Sequence, residues 1–227
     1  MKKITKRIAA KNNTLHKLVK KYGSDKIKSG YVDFYNHLFE PTRDEVKTVL
    51  EIGIGTTVPH AKSSMYDYSI NNSYKPGASL RAWRDYFPNA HIYGGDIQLD
   101  TQFQEEHITT FLFDSRNGNE CETALGDLTF DIIIDDGNHD EMSQVRTMYN
   151  LIRRVNPGGF YIIEDITPGN FTPVYKQVIP FALLSKTDLN TTTHNSELRF
   201  TYSQITTNVT VDIYILQPHE NLLVLKL

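Results

Sequence analysis

Residues 130–140 read FDIIIDDGNHD and residues 156–165 read NPGGFYIIED, two apolar runs that each end in a pair of acids. Each run has the length of a buried strand, and the segment between them has helical periodicity. Two strands joined by a single helix are typically parallel neighbours in one sheet. The first prediction is therefore a parallel α/β sheet.

The acids that close these runs are predicted to lie together. Asp135 and Asp136 follow the first run, Glu164 and Asp165 follow the second, and His139 stands three residues after Asp136. The carboxyl ends of parallel strands face one crevice, which would gather these side chains. Carboxylate oxygens with an imidazole are suitable ligands for a divalent cation, and the imidazole can also accept a proton. Acids after a strand also cap helices or form turns, so a purely structural role stays open.

Three more strand-like segments precede this unit, at residues 46–54, 90–97 and 107–113. The first runs into Gly53 and Gly55, which permit either close approach to a ligand or a simple strand-to-helix turn. Asp96 falls at the end of the second segment. An acid at this position can accept hydrogen bonds from both hydroxyls of a ribose, or it can form a turn. Asp114 and Ser115 follow the third.

The predicted fold class is α/β: a Rossmann-like, doubly wound sheet of seven strands, mostly parallel. Residues 197–205 and 209–217 alternate in polarity, which predicts a C-terminal antiparallel β-hairpin on the sheet edge. Residues 1–45 are predicted to form an N-terminal helical extension or cap, and residues 46–227 the sheet domain. The long polar stretch 56–75 suggests a lid or substrate loop, or else a surface insertion.

Composition narrows the class of protein. The chain has 227 residues and a net charge of −3, which gives no reason to expect a nucleic-acid partner. Its single cysteine, Cys121, rules out an intramolecular disulfide and fits a reducing compartment. The basic N-terminus lacks the apolar core of a secretory signal, and no run is long enough to span a membrane. We therefore expect a cytoplasmic protein.

Six motifs resemble those of the class I S-adenosylmethionine-dependent methyltransferases. They are YGSDK (22–26), VLEIGIG (49–55), GASLRAW (77–83), YGGDI (93–97), IDDGNH (134–139) and PGGFYIIED (157–165). The set is most similar to the metal-dependent sugar O-methyltransferases of the macrolide-glycoside type, related to the cephalosporin-hydroxylase-like group. IDDGNH with the later Glu-Asp pair is the more specific part, whereas VLEIGIG alone indicates only the class I fold.

The resemblance implies S-adenosylmethionine as methyl donor and Mg²⁺ or Mn²⁺ as metal. The implied donor contacts are Glu51, Gly53, Ser79, Asp96, Asp114, Ser115 and Asp135. The implied metal ligands are Asp136, Glu164 and Asp165. His139 is the implied general base, with Asp136 as the second catalytic residue. The implied acceptor is a sugar hydroxyl of a glycan or glycoside, and a homo-oligomer is possible.

Other functions stay open at this stage. The acceptor is alternatively a catechol-like small molecule. A nicotinamide-dependent oxidoreductase would use the same sheet, although Gly53 and Gly55 lack the third glycine of the dinucleotide fingerprint. A binding module that has lost its chemistry is the third alternative, and the retained acids and His139 weigh against it.

Overall fold

A computed structural model describes residues 13–27, 31–71, 74–166, 197–203, 208–217 and 220–227. The strands of these residues form one sheet in the order β3-β4-β2-β1-β5-β6-β9-β8-β7. Their bounds are β1 Thr48–Ile52, β2 His91–Asp96, β3 Gln104–Glu105, β4 Ile108–Leu112, β5 Phe130–Asp135, β6 Val155–Ile163, β7 Glu197–Ser203, β8 Asn208–Gln217 and β9 Glu220–Lys226.

The five central strands, β4, β2, β1, β5 and β6, are parallel to one another. This confirms the predicted parallel core, in which strand order reverses next to β1. Strands β1 and β5 are buried almost throughout, as expected for strands covered on both faces.

The sheet as a whole is mixed, with four parallel and four antiparallel neighbour pairs among the described strands. The seven predicted strands correspond to β1, β2, β4, β5, β6, β7 and β8, and the described sheet also contains β3 and β9, which were not predicted. The prediction of a mostly parallel sheet is therefore corrected to a mixed one. The hairpin of β7 and β8 is present, but β9 pairs with β6 and separates that hairpin from the parallel core.

Six α-helices lie in the described part of the chain. Their bounds are α1 Thr14–Tyr22, α2 Tyr31–Phe39, α3 Tyr66–Asn71, α4 Ala78–Tyr86, α5 Gly118–Leu125 and α6 Glu141–Leu151. None of the helices described is long and apolar enough to cross a membrane. Helix α1 begins after the N-cap Asn13 and ends at Gly23, whose φ of 74° is the left-handed conformation that glycine tolerates. The first twelve residues of the predicted N-terminal helical extension lie outside the described residues.

Helices α1 and α2 pack on the same buried cluster as the sheet. Leu15, Val19, Tyr35 and Phe39 belong to one apolar core with Val49 of β1. The ring of Tyr35 meets Trp83 of α4 edge to face with centroids 5.3 Å apart, and the ring of Phe39 meets Phe160 of β6 at 5.7 Å. The segment before β1 therefore lies against the sheet through aromatic packing, which brings its polar groups near the strand ends.

The polar stretch 56–75 runs beside the strand ends and contains α3. Thr56 Oγ1 donates to Asp100 Oδ1 at 2.6 Å, and the Thr57 amide donates to Asp100 Oδ2 at 2.8 Å. Lys62 Nζ reaches Asp140 Oδ2 at 3.2 Å, ahead of α6. Thr56, Lys62 and Met65 of this stretch line the cavity described next, and a lid or substrate loop stays a prediction.

Candidate active site

The ends of β1, β5 and β6 meet at one edge of the sheet. Ile52 pairs with Asp135, and Asp135 pairs with Ile163, so the residues after these strands are neighbours. The register brings Asp136 beside Asp165, 29 positions later in the sequence. One acid of each predicted pair, Asp136 and Asp165, therefore lies at this edge beside the other.

Gly53 allows the loops after β1 and β5 to touch backbone to backbone. Its φ is +80°, and a Cβ placed on it would lie 2.1 Å from the carbonyl oxygen of Asp136. Real side chains do not tolerate such an approach, and an L-residue is also strained at this φ. The glycine is therefore needed to position Asp136.

Asp136, His139 and Asp165 form a compact group of potential metal ligands. One ligand atom from each lies within 4.8 Å of the others. His139 Nε2 is 3.5 Å from Asp136 Oδ1 and 3.6 Å from Asp165 Oδ2. Asp140 caps α6 by accepting from the Ser143 amide at 3.0 Å, which fixes the turn that carries His139.

Three residues of the N-terminal segment hold the other oxygens of these acids. Lys26 Nζ lies 2.7 Å from both Asp136 Oδ2 and Glu164 Oε2. The Tyr35 hydroxyl donates to Glu164 Oε1, and the Tyr31 hydroxyl donates to Asp165 Oδ1 at 2.5 Å. Asp165 itself has a φ of 52°, an uncommon value for a residue other than glycine.

The electrostatics follow from this crowding of acids. Burial by itself would lower the pKa of His139, but its hydrogen bond to Asp136 and the charges of Asp136 and Asp165 raise that pKa to about 9. Burial would likewise raise the pKa of Asp136, yet the charges of Lys26 and His139 hold it below its usual range. The imidazole is therefore cationic at neutral pH beside an ionised Asp136.

A cavity of about 430 Å³ opens beside this group, within the range of small-molecule sites. Eight of the predicted site residues line it: Gly53, Ser79, Asp96, Asp114, Ser115, Asp136, His139 and Asp165. The structure thus brings these eight residues to one cavity, and their roles stay predictions.

Three predicted site residues, Glu51, Asp135 and Glu164, lie behind the cavity wall. Each is at most 2% exposed. Glu51 Oε2 accepts from the indole N–H of Trp83 at 2.9 Å, on the α4 side of the sheet. Asp135 is the last residue of β5 and turns into the core, where burial raises its pKa to about 7. A strand sends successive side chains to opposite faces, so Asp135 and Asp136 do not share a direction.

The polar groups at the far end of the cavity are already oriented. Asp96 Oδ2 accepts from the Ile54 amide at 3.0 Å, and Asp96 Oδ1 accepts from the Gln98 amide at 2.9 Å. Arg116 donates to Asp114 through Nε at 2.8 Å and Nη2 at 2.7 Å, and this holds the pKa of Asp114 below its usual range. The Asp96 carboxylate is thus fixed by two backbone amides, and each of its oxygens can accept a further hydrogen bond.

Sequence reasoning missed several side chains of the site: Tyr31, Tyr35, Tyr74 and Arg116. It named the motif at residues 22–26 as part of the resemblance, but it gave Lys26 no role. Tyr74 fills the space beside Gly55, where its hydroxyl donates to the Gly55 carbonyl oxygen at 3.1 Å. No local pattern marks Lys26, Tyr31 or Tyr35, because their carboxylate partners lie more than a hundred residues away in the sequence.

Comparison with protein-family models gives no match. The chain is 34% identical over 153 residues to an 8-demethyl-8-alpha-L-rhamnosyl tetracenomycin-C 2'-O-methyltransferase of Streptomyces olivaceus, over 66% of this chain. It is 37% identical over 139 residues to a demethylmacrocin O-methyltransferase of Streptomyces fradiae, over 60% of this chain. The chain spans about a third of the length of these curated relatives, 36% and 31% respectively.

Among solved structures, the chain resembles the MycE methyltransferase from the mycinamycin biosynthetic pathway in complex with Mg, SAH and mycinamycin VI. That match has 30% identity and a TM-score of 0.56, and it covers 69% of this chain and 40% of the other. A second crystal form, with Mg and SAH, matches over 94% of this chain and 53% of the other, with a TM-score of 0.61 and 23% identity, which supports the fold alone. The chain therefore has the fold of the class I S-adenosylmethionine-dependent methyltransferases and is similar in sequence to sugar O-methyltransferases that act on glycosides.

Proposed function

We propose that this chain is an S-adenosylmethionine-dependent, Mg²⁺-dependent O-methyltransferase that acts on a sugar hydroxyl of a glycan or glycoside. The observation that carries the proposal is the group Asp136, His139 and Asp165 at the mouth of a cavity with Asp96 at its other end. The sequence similarity to glycoside O-methyltransferases supports the choice of acceptor. Kinship with the cephalosporin-hydroxylase-like group stays a prediction.

The donor fits the cavity on two counts. Gly53 has no side chain, so the donor can approach the backbone after β1 closely. Asp96 offers a carboxylate that can accept hydrogen bonds from the ribose hydroxyls. Ser79, Asp114 and Ser115 line the same cavity and complete the proposed donor contacts. Glu51 and Asp135, also predicted as donor contacts, would act only from behind the wall by holding its shape.

A divalent cation fits the acidic end. Mg²⁺ prefers hard oxygen ligands, and Asp136 Oδ1 and Asp165 Oδ2 both face the same nitrogen of His139. Glu164 completes the proposed ligand set as the third carboxylate, although Lys26 and Tyr35 occupy its two oxygens in this structure. When bound, the cation would supply a positive charge that polarises the acceptor hydroxyls and makes them more acidic.

The protein's own task is then alignment and proton removal. The sulfonium methyl group of the donor is already a strong electrophile, so the acceptor oxygen must be held behind it, which contributes up to roughly 7–11 kcal/mol in favourable cases. His139 is the proposed general base for the acceptor proton, and Asp136 orients its ring. A base must be neutral before it accepts a proton. The charges of Asp136 and Asp165 raise the pKa of His139, so these charges must be compensated before His139 can lose its proton and accept one from the acceptor.

The proposal is tested by calorimetric titration of S-adenosylhomocysteine into the protein with and without Mg²⁺. A methyl-transfer assay follows, with glycosides that bear vicinal hydroxyls and matched deoxyglycosides that lack one of the pair. We expect donor-product binding and Mg²⁺-dependent methylation of the diol glycosides alone. Catechol as an added acceptor distinguishes the small-molecule alternative. Absence of S-adenosylhomocysteine binding in both conditions would refute the donor assignment.

A further inference from the structure

Lys26 is a buried ammonium at the centre of the acidic cluster. It lies 2.7 Å from Asp136 and from Glu164, and 3.2 Å from Glu51. Its side chain is only 4% exposed. It comes from a short 3-10 helix at Asp25–Ile27, more than a hundred residues before Asp136 and Glu164. Burying an ammonium is costly unless its charge is matched, and here three carboxylates match it.

The N-terminal segment divides the oxygens of the proposed metal ligands into two sets. Tyr35 and Lys26 take both oxygens of Glu164, Lys26 takes Oδ2 of Asp136, and Tyr31 takes Oδ1 of Asp165. The remaining oxygens of the two aspartates face His139. A divalent cation that binds Glu164 would therefore share this carboxylate with the ammonium of Lys26.

We infer that Lys26 is a tethered cation that competes with the divalent metal for the pair Asp136 and Glu164. This inference rests on the proposed function, because it concerns the same metal site. An ammonium at 2.7 Å from a ligand oxygen repels a metal bound to that carboxylate, and the repulsion is strong where water is excluded. Lys26 also holds Asp136 and Glu164 in place through its two contacts of 2.7 Å.

A merely structural lysine predicts something different. If Lys26 only holds the segment in place, its removal loosens the ligand geometry and weakens metal binding. If Lys26 competes, its removal strengthens metal binding even though the fold loses an ion pair. The sign of the change in metal affinity therefore separates the two roles.

The experiment measures affinity for Mn²⁺ alone, by electron paramagnetic resonance and calorimetry, in the full chain and without donor. The variants are Lys26→Gln and Lys26→Met, which remove the charge, and Lys26→Arg, which keeps it. The matched control is Lys21→Gln, an exposed lysine of α1 whose partner is Asp85. Circular dichroism and thermal unfolding establish that each variant is folded.

We expect at least about tenfold tighter Mn²⁺ binding in the two neutral variants, because a like charge is removed from beside the ligands. Lys26→Arg and Lys21→Gln should remain near the wild type. Equal or weaker Mn²⁺ binding in both neutral variants would overturn the inference while leaving the metal proposal intact. A cluster that binds no cation with or without Lys26 would overturn both.

A measurement on the wild type alone decides the matter if the neutral variants do not fold. Acetylation of individual lysines is followed by mass spectrometry with and without Mg²⁺. Competition predicts that Mg²⁺ increases labelling of Lys26 and leaves exposed Lys21 unchanged, because the displaced ammonium loses its carboxylate partners. Labelling of Lys26 that is unchanged or reduced by Mg²⁺ would then overturn the inference.

Discussion

The imidazole Nε2 of His139 lies 3.5 Å from Oδ1 of Asp136, which is three residues earlier in the sequence. Both residues line the cavity. The Asp136 carboxylate is shared, because its other oxygen is held by Lys26 at 2.7 Å. The proposed base, His139, and the proposed metal site therefore both contact the same acid, Asp136. The charge state of either partner changes the other.

The first prediction concerns the pKa of His139 in metal-free protein. Asp136→Asn removes the negative charge that offsets burial and leaves only a neutral amide acceptor, so the pKa of His139 should fall from about 9 toward or below its usual value. Histidine NMR titration measures this directly, with Asp127→Asn at an exposed turn as control. A His139 that titrates near 9 in the Asp136→Asn variant would contradict the assignment of cause.

The second prediction links the same group to stability. The folded pKa of His139 is raised to about 9, above an unfolded value of about 6.5. Its stabilising contribution is therefore complete below about pH 6.5 and is lost as pH rises through about 9. The difference in unfolding free energy between wild type and His139→Gln should shrink over that window. Urea unfolding at pH 6 and pH 9.5, with chelator present, measures it, and a pH-independent difference would count against this linkage.

The third prediction concerns cation binding. Asp165→Asn should lower Mn²⁺ affinity at least about tenfold, because Asp165 offers one of the two charged oxygens that face His139. Chelator should abolish methyl transfer by the wild type, and Mg²⁺ should restore it. Asp85→Asn, remote from the cavity and paired with Lys21, is the matched control. Full turnover in chelator would exclude a metal role.

The fourth prediction separates backbone strain from steric clash at Gly53. Gly158 has a similar φ of +83° but no atom within 4 Å of an added Cβ. Gly158→Ala should therefore cost only the left-handed conformation, about 1–2 kcal/mol of unfolding free energy. Gly53→Ala should cost a further ~1–3 kcal/mol, because the new Cβ meets the Asp136 carbonyl.

Chemical denaturation of both variants gives these two free energies of unfolding. Gly53→Ala should also weaken S-adenosylhomocysteine binding, whereas Gly158→Ala should not. Equal losses of stability in the two variants would show that the loops after β1 and β5 move apart freely.

The fifth prediction concerns Asp96 and the donor. Asp96→Asn should weaken S-adenosylhomocysteine binding roughly 10–100-fold, because hydrogen bonds to a charged acceptor contribute about 1.5–3 kcal/mol. The Ile54 and Gln98 amides hold the carboxylate toward the cavity, so the loss should appear in the binding enthalpy. Calorimetry measures it, with Asp127→Asn as the exposed control. Unchanged affinity would remove Asp96 from the donor site.

Local pattern explains why two of the predicted acids lie together. Asp136 and Asp165 were placed together because parallel strands with a helix between them bring their carboxyl ends to one edge. The alternation of a strand also implies that only one residue of Asp135 and Asp136 can face the cavity. That consequence was not drawn, and the structure places Asp135 in the core.

Strand β9 shows where local pattern fails. Residues 220–226 are mainly apolar and carry no clear alternation, and their place between β6 and β8 depends on pairing with strands elsewhere in the chain. The hairpin of β7 and β8 was recognised from alternation alone. Its separation from the parallel core was not, because sheet order is a long-range property.

The sequence by itself determined the parallel core, the turns that require glycine and the acids at the strand ends, since each depends on residues close together in the chain. Only the tertiary structure decided that Lys26, Tyr31 and Tyr35 hold those acids. Helices α1 and α2 pack through an aromatic core onto the sheet, and that packing carries the three polar groups to the strand ends. Charge balance in a buried site is set by residues that meet only when the chain folds, and periodicity along the chain does not encode it.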